Sequence, residues 1–291
     1  MINFLKARLF AALFSALLLG SFFVTAWYKY RTYGRVFTYS IDFTGGTQVL
    51  LKAEKTISTS DVKNILLDQW SGADVRSFSE TEIMVRVKEV STTADVDRQI
   101  HAYLEQRMPE YHFTILQSDS VGAGVGQMLR WKSARAVLFA IIAMLLYIAL
   151  RFWSFAFALG AVVALFHDAF AILACFLFLD REISINVIGA ILAILGYSIN
   201  DTIIIFTQIR NQLAKMGHAS LTDVVNTSLN VTLRRTILTS VSTALPVIAM
   251  ILFGGEALFD FSLALLIGLI FGTYSSIYIA SPIMMLCYRK K

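Results

Sequence analysis

Residues 183–209 read ISINVIGAILAILGYSINDTIIIFTQI, an apolar run in which Asp201 is the single charged residue. A helix needs about 20 apolar residues to cross the hydrocarbon core of a bilayer, so this run predicts a transmembrane helix. The whole chain agrees, since 57% of its 291 residues are hydrophobic and only 15% are charged. A soluble domain of this size has about a quarter charged residues. The composition therefore excludes a soluble globular protein and predicts an integral membrane protein.

Further runs of the same kind bring the prediction to six transmembrane helices. We place the six at 9–28, about 136–150 (extended by 131–133), 154–179, 183–209, 236–255 (or from 228), and 257 or 261 to 288. A signal peptide is the alternative for the first run, because Lys6 and Arg8 precede it and residues 24–26 form a passable cleavage site. The run is longer than the 7–15 residues of a typical signal core, which favours a retained span.

Charge divides the chain into a hydrophilic insert and a membrane part. More than half of the charged residues lie within 29–132, between the first two spans. Most other Lys and Arg residues fall on the side of the two termini, which predicts that both termini are cytoplasmic and the insert is outside. Basic residues that flank the insert argue the other way, but long domains translocate with little regard to charge. The predicted domains are 1–28, 29–132 and 133–291.

The insert alternates strand and helix patterns. The predicted elements are strands at 36–43 and 47–51, a helix at 61–70, a hairpin of 74–78 with 83–87, a helix at 92–108 and a strand at 111–116. Each helix has a candidate capping box, at Ser58 with Asp61 and at Thr92 with Asp95. The order after the first strand is β-α-β-β-α-β, which predicts a ferredoxin-like α+β domain.

The sequence lacks the familiar signatures of enzymes and cofactor sites. It contains no P-loop, no His-Glu-x-x-His and no Cys-x-x-Cys. We therefore predict no catalytic residue, no metal site and no cofactor. The net charge of +5 predicts no nucleic-acid partner, because the basic residues are not clustered on one soluble face. Any work that the protein performs would draw on an ion gradient.

Asp201 is the strongest functional candidate, because it lies well inside the fourth predicted span. A charged residue at the centre of a span costs about 2.5–3.5 kcal/mol on insertion scales. A carboxyl group there can bind and release a proton, and Tyr197 and Asn200 lie beside it in sequence. The alternative is a fixed polar contact that only holds helices together.

Arg235 is the natural candidate partner of Asp201. It lies in the fifth span beside a helical stripe of threonines, at Thr232, Thr236, Thr239 and Thr243. Arg234 points away from that stripe and is typical of a positive-inside anchor. Arg235 could be an anchor as well, and helical periodicity leaves both interpretations open.

Two more features lie within the predicted spans. His167 and Asp168 are adjacent near the middle of the third span, where they could relay protons or brace the bundle by hydrogen bonds. The sixth span contains small residues at every fourth position, namely Ala264, Gly268, Gly272 and Ser276. Such a pattern predicts close helix packing, here around Gly268 and Gly272.

These motifs together resemble the SecD/SecF family of protein-export membrane proteins. The family's D-F-x-G-G signature is matched by Asp42, Phe43, Gly45 and Gly46. Further matching segments follow in the family's order: SVG at 120–122, LYIALRF at 146–152, HD at 167–168, GYSINDT at 196–202, TLRRT at 232–236 and LFGG at 252–255. The length, the six spans and the single insert resemble the SecF branch rather than the larger SecD branch.

The resemblance implies an auxiliary subunit of the Sec preprotein translocase and not an enzyme. It implies a multi-pass protein of the bacterial inner membrane with a periplasmic insert and a half-bundle like that of the proton-driven RND transporters. It implies that the protein uses the proton-motive force to drive or complete export. The implied partners are SecD, the SecYEG channel, YajC as an optional further subunit, the unfolded preprotein and protons.

The resemblance also bears on single residues. Asp201 and Arg235 fall on the family's membrane-embedded acid and arginine, which are implicated in proton flow. This chain departs from the family at the inner end of the fourth span, where Thr207, Gln208 and Asn211 replace charged residues. A subunit that only braces the Sec channel is the alternative function, and a self-contained exporter of small solutes is a third.

Overall fold

The computed structural model describes residues 2–88, 95–215 and 219–288, except the side chains of residues 256 and 257. The chain forms two compact units, one of Met1–Thr38 with Ala134–Lys291 and the other of Tyr39–Ser133. Within the described residues six helical segments are long and apolar enough to cross a membrane, which confirms the predicted number of spans. They comprise α1 (Arg8–Tyr33), α5 (Ala123–Phe152), α6 (Phe155–Phe178), α7 (Ile185–Lys215), α8 (Leu221–Phe253), and α9 (Gly255–Ser275) continued by α10 (Ser281–Cys287).

Several helices extend beyond the predicted apolar runs, among them α1, which ends at Tyr33 rather than at residue 28. The second span begins at Ala123 rather than near residue 131, and the fifth begins at Leu221 rather than at 228 or 236. The fourth ends at Lys215 rather than at residue 209. Hydropathy detects only the part of a helix that suits lipid, whereas polar residues continue the backbone hydrogen bonds beyond it. The Ser220 hydroxyl caps α8 by accepting a bond from the Asp223 amide at 3.1 Å.

Helix α9 lies at the centre of the helical unit, where it packs against α6, α7 and α8. Helix α1 packs on the side of α6, through Phe22 against Ala174 and Leu177. Near the end of α1, the Lys29 ammonium pairs with the Asp180 carboxylate at 2.7 Å. The first predicted span is therefore part of the packed bundle.

The sixth span contains one turn of π-helix, Ser276–Ala280, between α9 and α10. Pro282 follows it, and proline cannot donate the backbone hydrogen bond of a regular helix. The Ser281 hydroxyl donates to the Ser276 carbonyl at 3.1 Å, which satisfies an acceptor in the widened turn. Gly160 of α6 allows close approach here, because a Cβ at that position would lie 2.5 Å from the Ala280 carbonyl oxygen.

The other unit is built on a four-stranded antiparallel sheet. Its strands are β2 (Gly46–Lys52), β3 (Asp74–Ser77), β4 (Glu82–Val87) and β5 (Thr114–Val121), in the spatial order β3-β4-β2-β5. Helices α3 (Thr59–Leu67) and α4 (Val96–Arg107) connect them along the chain. Alternating strand residues such as Val49, Leu51, Ile83 and Val85 form a buried core with one face of each helix.

The hairpin predicted at 74–78 and 83–87 is confirmed. The predicted helix at 61–70 is observed as α3, and the one at 92–108 as α4, whose predicted start lies outside the described residues. The predicted strand at 111–116 is shifted to β5, after a short 3-10 turn at Pro109–Tyr111. The capping bond of Ser58 is absent, because its hydroxyl pairs with that of Ser60 at 2.7 Å. The side chain of Asp95 likewise makes no capping bond, and Thr92 lies outside the described residues.

The predicted strand at 36–43 is wrong. Only β1 (Thr38–Tyr39) is extended, and it is followed by a single helical turn, α2 (Ile41–Thr44). The Ser40 carbonyl accepts bonds from the amides of Phe43 and Thr44 at 3.1 and 3.2 Å. The turn buries both Ile41 and Phe43. A further short strand, β6 (Glu182–Ile183), precedes α7.

Candidate functional site

Asp201 lies in the middle of α7 with a side chain that is 1% exposed. Neither carboxylate oxygen has a hydrogen-bond partner among the described residues. The Tyr197 hydroxyl, one turn earlier on the same helix, is also buried and without such a partner. Asn200, in contrast, is exposed. The carboxyl group of Asp201 is thus buried without a hydrogen-bond partner in the described chain, an arrangement that is costly for a charge.

Arg235 lies on an exposed position of α8, which packs against α7. Its positive charge is close enough to act electrostatically on the Asp201 carboxylate. The Asp201 oxygens have no hydrogen-bond partner in the described part of the chain, so Arg235 makes no hydrogen bond to them. The neighbouring Thr236 is buried, and its hydroxyl has no partner there.

The threonine stripe of α8 serves mostly its own helix. The hydroxyls of Thr232, Thr239 and Thr243 donate to backbone carbonyls one turn earlier, at 2.9–3.0 Å. A bond to another helix comes from Ser240, which pairs with Thr273 of α9 at 2.8 Å. The stripe therefore contributes less to contacts between helices than its periodicity indicates.

A second buried carboxyl group in the helical unit is hydrogen-bonded to other helices. Asp168 of α6 has 0% exposure, and its Oδ2 accepts bonds from Ser198 of α7 at 2.5 Å and from Ser275 of α9 at 2.9 Å. Its Oδ1 lies 3.5 Å from Nδ1 of His167. We call these four residues the Asp168 cluster. The cluster contains His167 and Asp168, which are neighbours in sequence, and neither Tyr197 nor Asn200, the other two candidates for an intramembrane polar network.

Sequence reasoning missed Ser198, Ser275 and Tyr274. The His167 ring lies 5.7 Å from the ring of Tyr274, whose hydroxyl donates to the Ala11 carbonyl at 2.7 Å. Ser198 was detectable in principle, since it shares a short polar segment with Asp201. Ser275 gives no such signal, because serine is common in membrane helices and its partner lies on another span.

The glycines of α9 allow these helices to meet. A Cβ on Gly268 would lie 2.5 Å from Cγ2 of Ile194, and one on Gly272 would lie 3.1 Å from Cβ of Ser198. The contacts run from α9 to α7, next to the Asp168 cluster.

The glycine pair in the other unit packs against backbone. Gly45 and Gly46 have φ values of +73° and +119°, which favour glycine. A Cβ on Gly45 would lie 2.6 Å from Cα of Ala123, and one on Gly46 would collide with the Val87 carbonyl oxygen. Gly126 faces the same turn, since its Cβ would lie 2.9 Å from the Gly45 nitrogen. Gly126 is thus a further structural glycine of this motif.

The other two motif residues hold the turn in place. Asp42 accepts a bond from the Ser40 hydroxyl at 2.9 Å. Phe43 is buried, and its carbonyl accepts a bond from the Arg130 guanidinium at 3.0 Å. The motif is therefore a packing junction in its unit.

Within the described residues no three His, Cys, Asp or Glu side chains are grouped so that they could hold a metal ion. Among the described residues, the helical unit combines the Asp201 carboxyl group, which has no hydrogen-bond partner, with Arg235 on the neighbouring helix and the hydrogen-bonded Asp168 cluster. These features define a multi-pass helical membrane protein with an ionisable group inside its bundle.

Comparison with known proteins gives the family. Residues 100–290 match the family described as protein export membrane protein SecD/SecF, C-terminal, and residues 33–57 match the SecD/SecF GG motif. The chain is 35% identical over 250 residues to the protein translocase subunit SecF of Thermodesulfovibrio yellowstonii, covering 84% of this chain and 82% of that one. It is 37% identical over 249 residues to SecF of Pseudomonas aeruginosa, covering 84% and 80%.

A solved structure is similar over almost the whole chain. The crystal structure of SecDF from Thermus thermophilus, described as a translocon-associated membrane protein, matches with a TM-score of 0.86 at 33% identity. The match covers 98% of this chain and 38% of the SecDF chain. The chain therefore belongs to the SecD/SecF family.

Proposed function

We propose that this chain is an accessory subunit of Sec protein translocation, which works with SecD and uses the proton-motive force to drive or complete export. The observation that supports this most is the Asp201 carboxyl group, buried in α7 with no hydrogen-bond partner in the described chain. In this proposal Asp201 takes up a proton from the outer side and releases it inward.

The contrast with Asp168 supports a mobile proton over a brace at Asp201. A carboxyl group that holds helices together should be hydrogen-bonded across them, as Asp168 is to Ser198 and Ser275. Asp201 has no such bonds. A role in bracing the channel, the alternative function, would make little use of a group in this state.

Arg235 would couple the proton to movement. Two unit charges 4 Å apart attract by about 4 kcal/mol at an effective dielectric constant near 20. Asp201 and Arg235 are not hydrogen-bonded, so their attraction is weaker than that of such a close pair. Protonation of Asp201 removes the attraction, and a change of a few kcal/mol is enough to shift α8 relative to α7 between two states.

The same proposal extends to topology and partners. We place residues 29–132 in the periplasm as a ferredoxin-like domain, supported by the sheet order β3-β4-β2-β5 with two helices. Residues 1–28 and 133–291 lie in or on the inner membrane with both termini cytoplasmic, and the packing of α1 on α6 supports a retained first span.

A relative that fuses the two proteins supports SecD as a partner. The SecDF subunit of Thermus thermophilus is 35% identical over 263 residues, which cover 35% of its length. We propose SecYEG, YajC and the unfolded preprotein as further partners.

The test is export in vesicles that contain this protein, SecD and SecYEG. Asp201→Asn keeps the shape of the side chain but cannot release a proton, so we expect the complex to assemble and the stimulation of export by a proton gradient to be lost. Asp223→Asn is the matched control, because Asp223 is exposed at the start of α8. Full stimulation in Asp201→Asn would contradict the proposal, and loss of assembly would favour the bracing alternative.

A further inference from the structure

We infer that Asp168 is a positioning residue, whose carboxylate fixes the turn of α7 that bears Asp201 to the π-helical turn of the sixth span. The inference rests on the proposed function, because it assigns a role to the surroundings of Asp201. It differs from a proton relay through Asp168, since it requires a hydrogen-bond acceptor at this position and no proton transfer.

A single carboxylate oxygen joins three helices. Oδ2 of Asp168 accepts the hydroxyls of Ser198 and Ser275, and the side chain is fully buried on α6. Ser275 also lies 3.2 Å from the Gly272 carbonyl of its own helix, so its shorter bond is the one to Asp168. Among the described residues the remaining polar neighbour is His167, at 3.5 Å from Oδ1.

The junction is tightly packed. A Cβ on Gly272 would lie 3.1 Å from Cβ of Ser198 and 3.7 Å from Oδ2 of Asp168. A larger residue at position 272 would thus push on both. Because close-packed contacts have few alternative arrangements, the relative position of α7 and α9 is defined here.

Each of the two serines lies next to a distinctive part of its own helix. Ser198 lies one turn before Asp201, and its carbonyl accepts a bond from the Thr202 hydroxyl at 3.2 Å. Ser275 immediately precedes the π turn Ser276–Ala280. Such turns are frequent at functional sites in helices. Asp168 therefore connects the turn with the unbonded carboxyl group to the irregular turn of the sixth span.

The side chain required at this position is an acceptor. An ionised carboxylate has only acceptor sites, and the amide of asparagine keeps one oxygen with two lone pairs. Asp168→Asn can therefore still accept both serine hydroxyls, whereas Asp168→Ala cannot. The two variants therefore distinguish the two roles. Asparagine would preserve a hydrogen-bonded junction but abolish a proton relay, whereas alanine would abolish both.

The experiment measures how fast a hydrophobic carbodiimide labels Asp201 in the full-length protein in lipid vesicles. Labelled peptides are quantified separately for α6 and α7, so that any labelling of Asp168 is not counted, and Asp201→Asn gives the blank. The variants are Asp168→Ala, Asp168→Asn and Ser198→Ala. Ser262→Ala is the matched control, because Ser262 is a fully buried serine of α9 outside the cluster.

We expect Ser198→Ala to raise the labelling rate by roughly threefold to tenfold, the size of effect that the loss of one hydrogen bond gives. Asp168→Ala, which loses the bonds to both serines, should raise the rate at least as much. Asp168→Asn and Ser262→Ala should label at the wild-type rate. A wild-type rate in Ser198→Ala would overturn the inference, and so would equal rates in Asp168→Asn and Asp168→Ala. Thermal unfolding of Asp168→Ala shows whether that variant folds. If it does not fold, Ser198→Ala still tests the inference.

The labelling assay separates this inference from the proposed function. It needs neither SecD nor the channel, so normal export by Asp201→Asn would remove the proposed function without touching the labelling result. Conversely, suppose that Asp201→Asn loses proton-stimulated export but Ser198→Ala labels at the wild-type rate. This result would support the proposed function and reject the positioning role.

Discussion

Asp168 and Asp201 lie inside the same helical unit but differ in what surrounds their carboxylates. Two serines donate to Asp168, whereas Asp201 has no hydrogen-bond partner in the described chain. The same residue type thus has two environments, one with hydrogen bonds to other helices and one without a hydrogen-bond partner among the described residues. Sequence alone singled out Asp201 because it is an acid in an apolar run. It left the role of Asp168 open, because the serines that bind it come from other helices.

At the residue scale, Gly45→Ala tests the junction of the glycine motif. We expect the free energy of unfolding to fall by about 2–4 kcal/mol. Alanine is strained at the positive φ of this position, and its Cβ would lie 2.6 Å from the Ala123 backbone. Gly34→Ala is the matched control, since Gly34 has a φ of +67° but nothing within 4 Å of a Cβ. Chemical unfolding of the two variants measures the difference, and equal losses would show that the contact with Ala123 does not matter.

A second residue-scale prediction concerns the packing of α9 on α7. Gly268→Ala places a Cβ 2.5 Å from Cγ2 of Ile194. We therefore expect the free energy of unfolding, measured by thermal unfolding in detergent, to fall by about 1–3 kcal/mol. Gly189→Ala on α7 is the control, because a Cβ there meets nothing within 4 Å. If both variants unfold like the wild type, the close contact at Gly268 is not required.

At the element scale, long apolar runs were predictable and irregular turns were not. The six spans follow from composition, because only a helix of sufficient length satisfies its backbone in lipid. The π turn at Ser276–Ala280 depends on packing against α6 and on Pro282, which no periodicity reveals. The turn at Ile41–Thr44 was missed for a similar reason, since β-branched and aromatic neighbours favour a strand, whereas the turn is made by backbone hydrogen bonds to the Ser40 carbonyl.

Two asparagines of helix α8 form hydrogen bonds with the backbone of residues 2 and 4. Asn226 accepts a bond from the Phe4 amide at 2.9 Å, and Asn230 exchanges two bonds with the backbone of Ile2. We expect Asn226→Leu to speed amide hydrogen exchange at Phe4 by about tenfold, because one hydrogen bond is lost. Asn200→Leu, an exposed position on α7, is the control. Unchanged exchange at Phe4 in hydrogen-exchange mass spectrometry would contradict the contact.

At the scale of the whole molecule, the unit of residues 39–133 has a core of its own. We expect the fragment 39–133 to unfold cooperatively. The fragment 39–122 should be less stable by about 1–3 kcal/mol, because it lacks Gly126 and the bond from Arg130 to the Phe43 carbonyl. Denaturant titration of both fragments measures this, and equal stabilities would show that the start of α5 does not support the unit.

The two-part organisation of the molecule was predictable because charge density alone separates an insert from membrane helices. The contacts that create the candidate site were not, since α6, α7 and α9 meet through residues far apart in sequence. Periodicity places a residue on a face of its helix but does not reveal the helix that the face meets. This is why Asp201 could be named from sequence and the Asp168 cluster could not.

The central claim is that Asp201 moves protons, and proton flux tests it most directly. The measurement is acidification inside vesicles that contain this protein and SecD, for wild type, Asp201→Asn and Asp223→Asn at equal amounts of assembled complex. The account predicts a flux in wild type and Asp223→Asn that disappears in Asp201→Asn. A flux in Asp201→Asn equal to that of the wild type would contradict it.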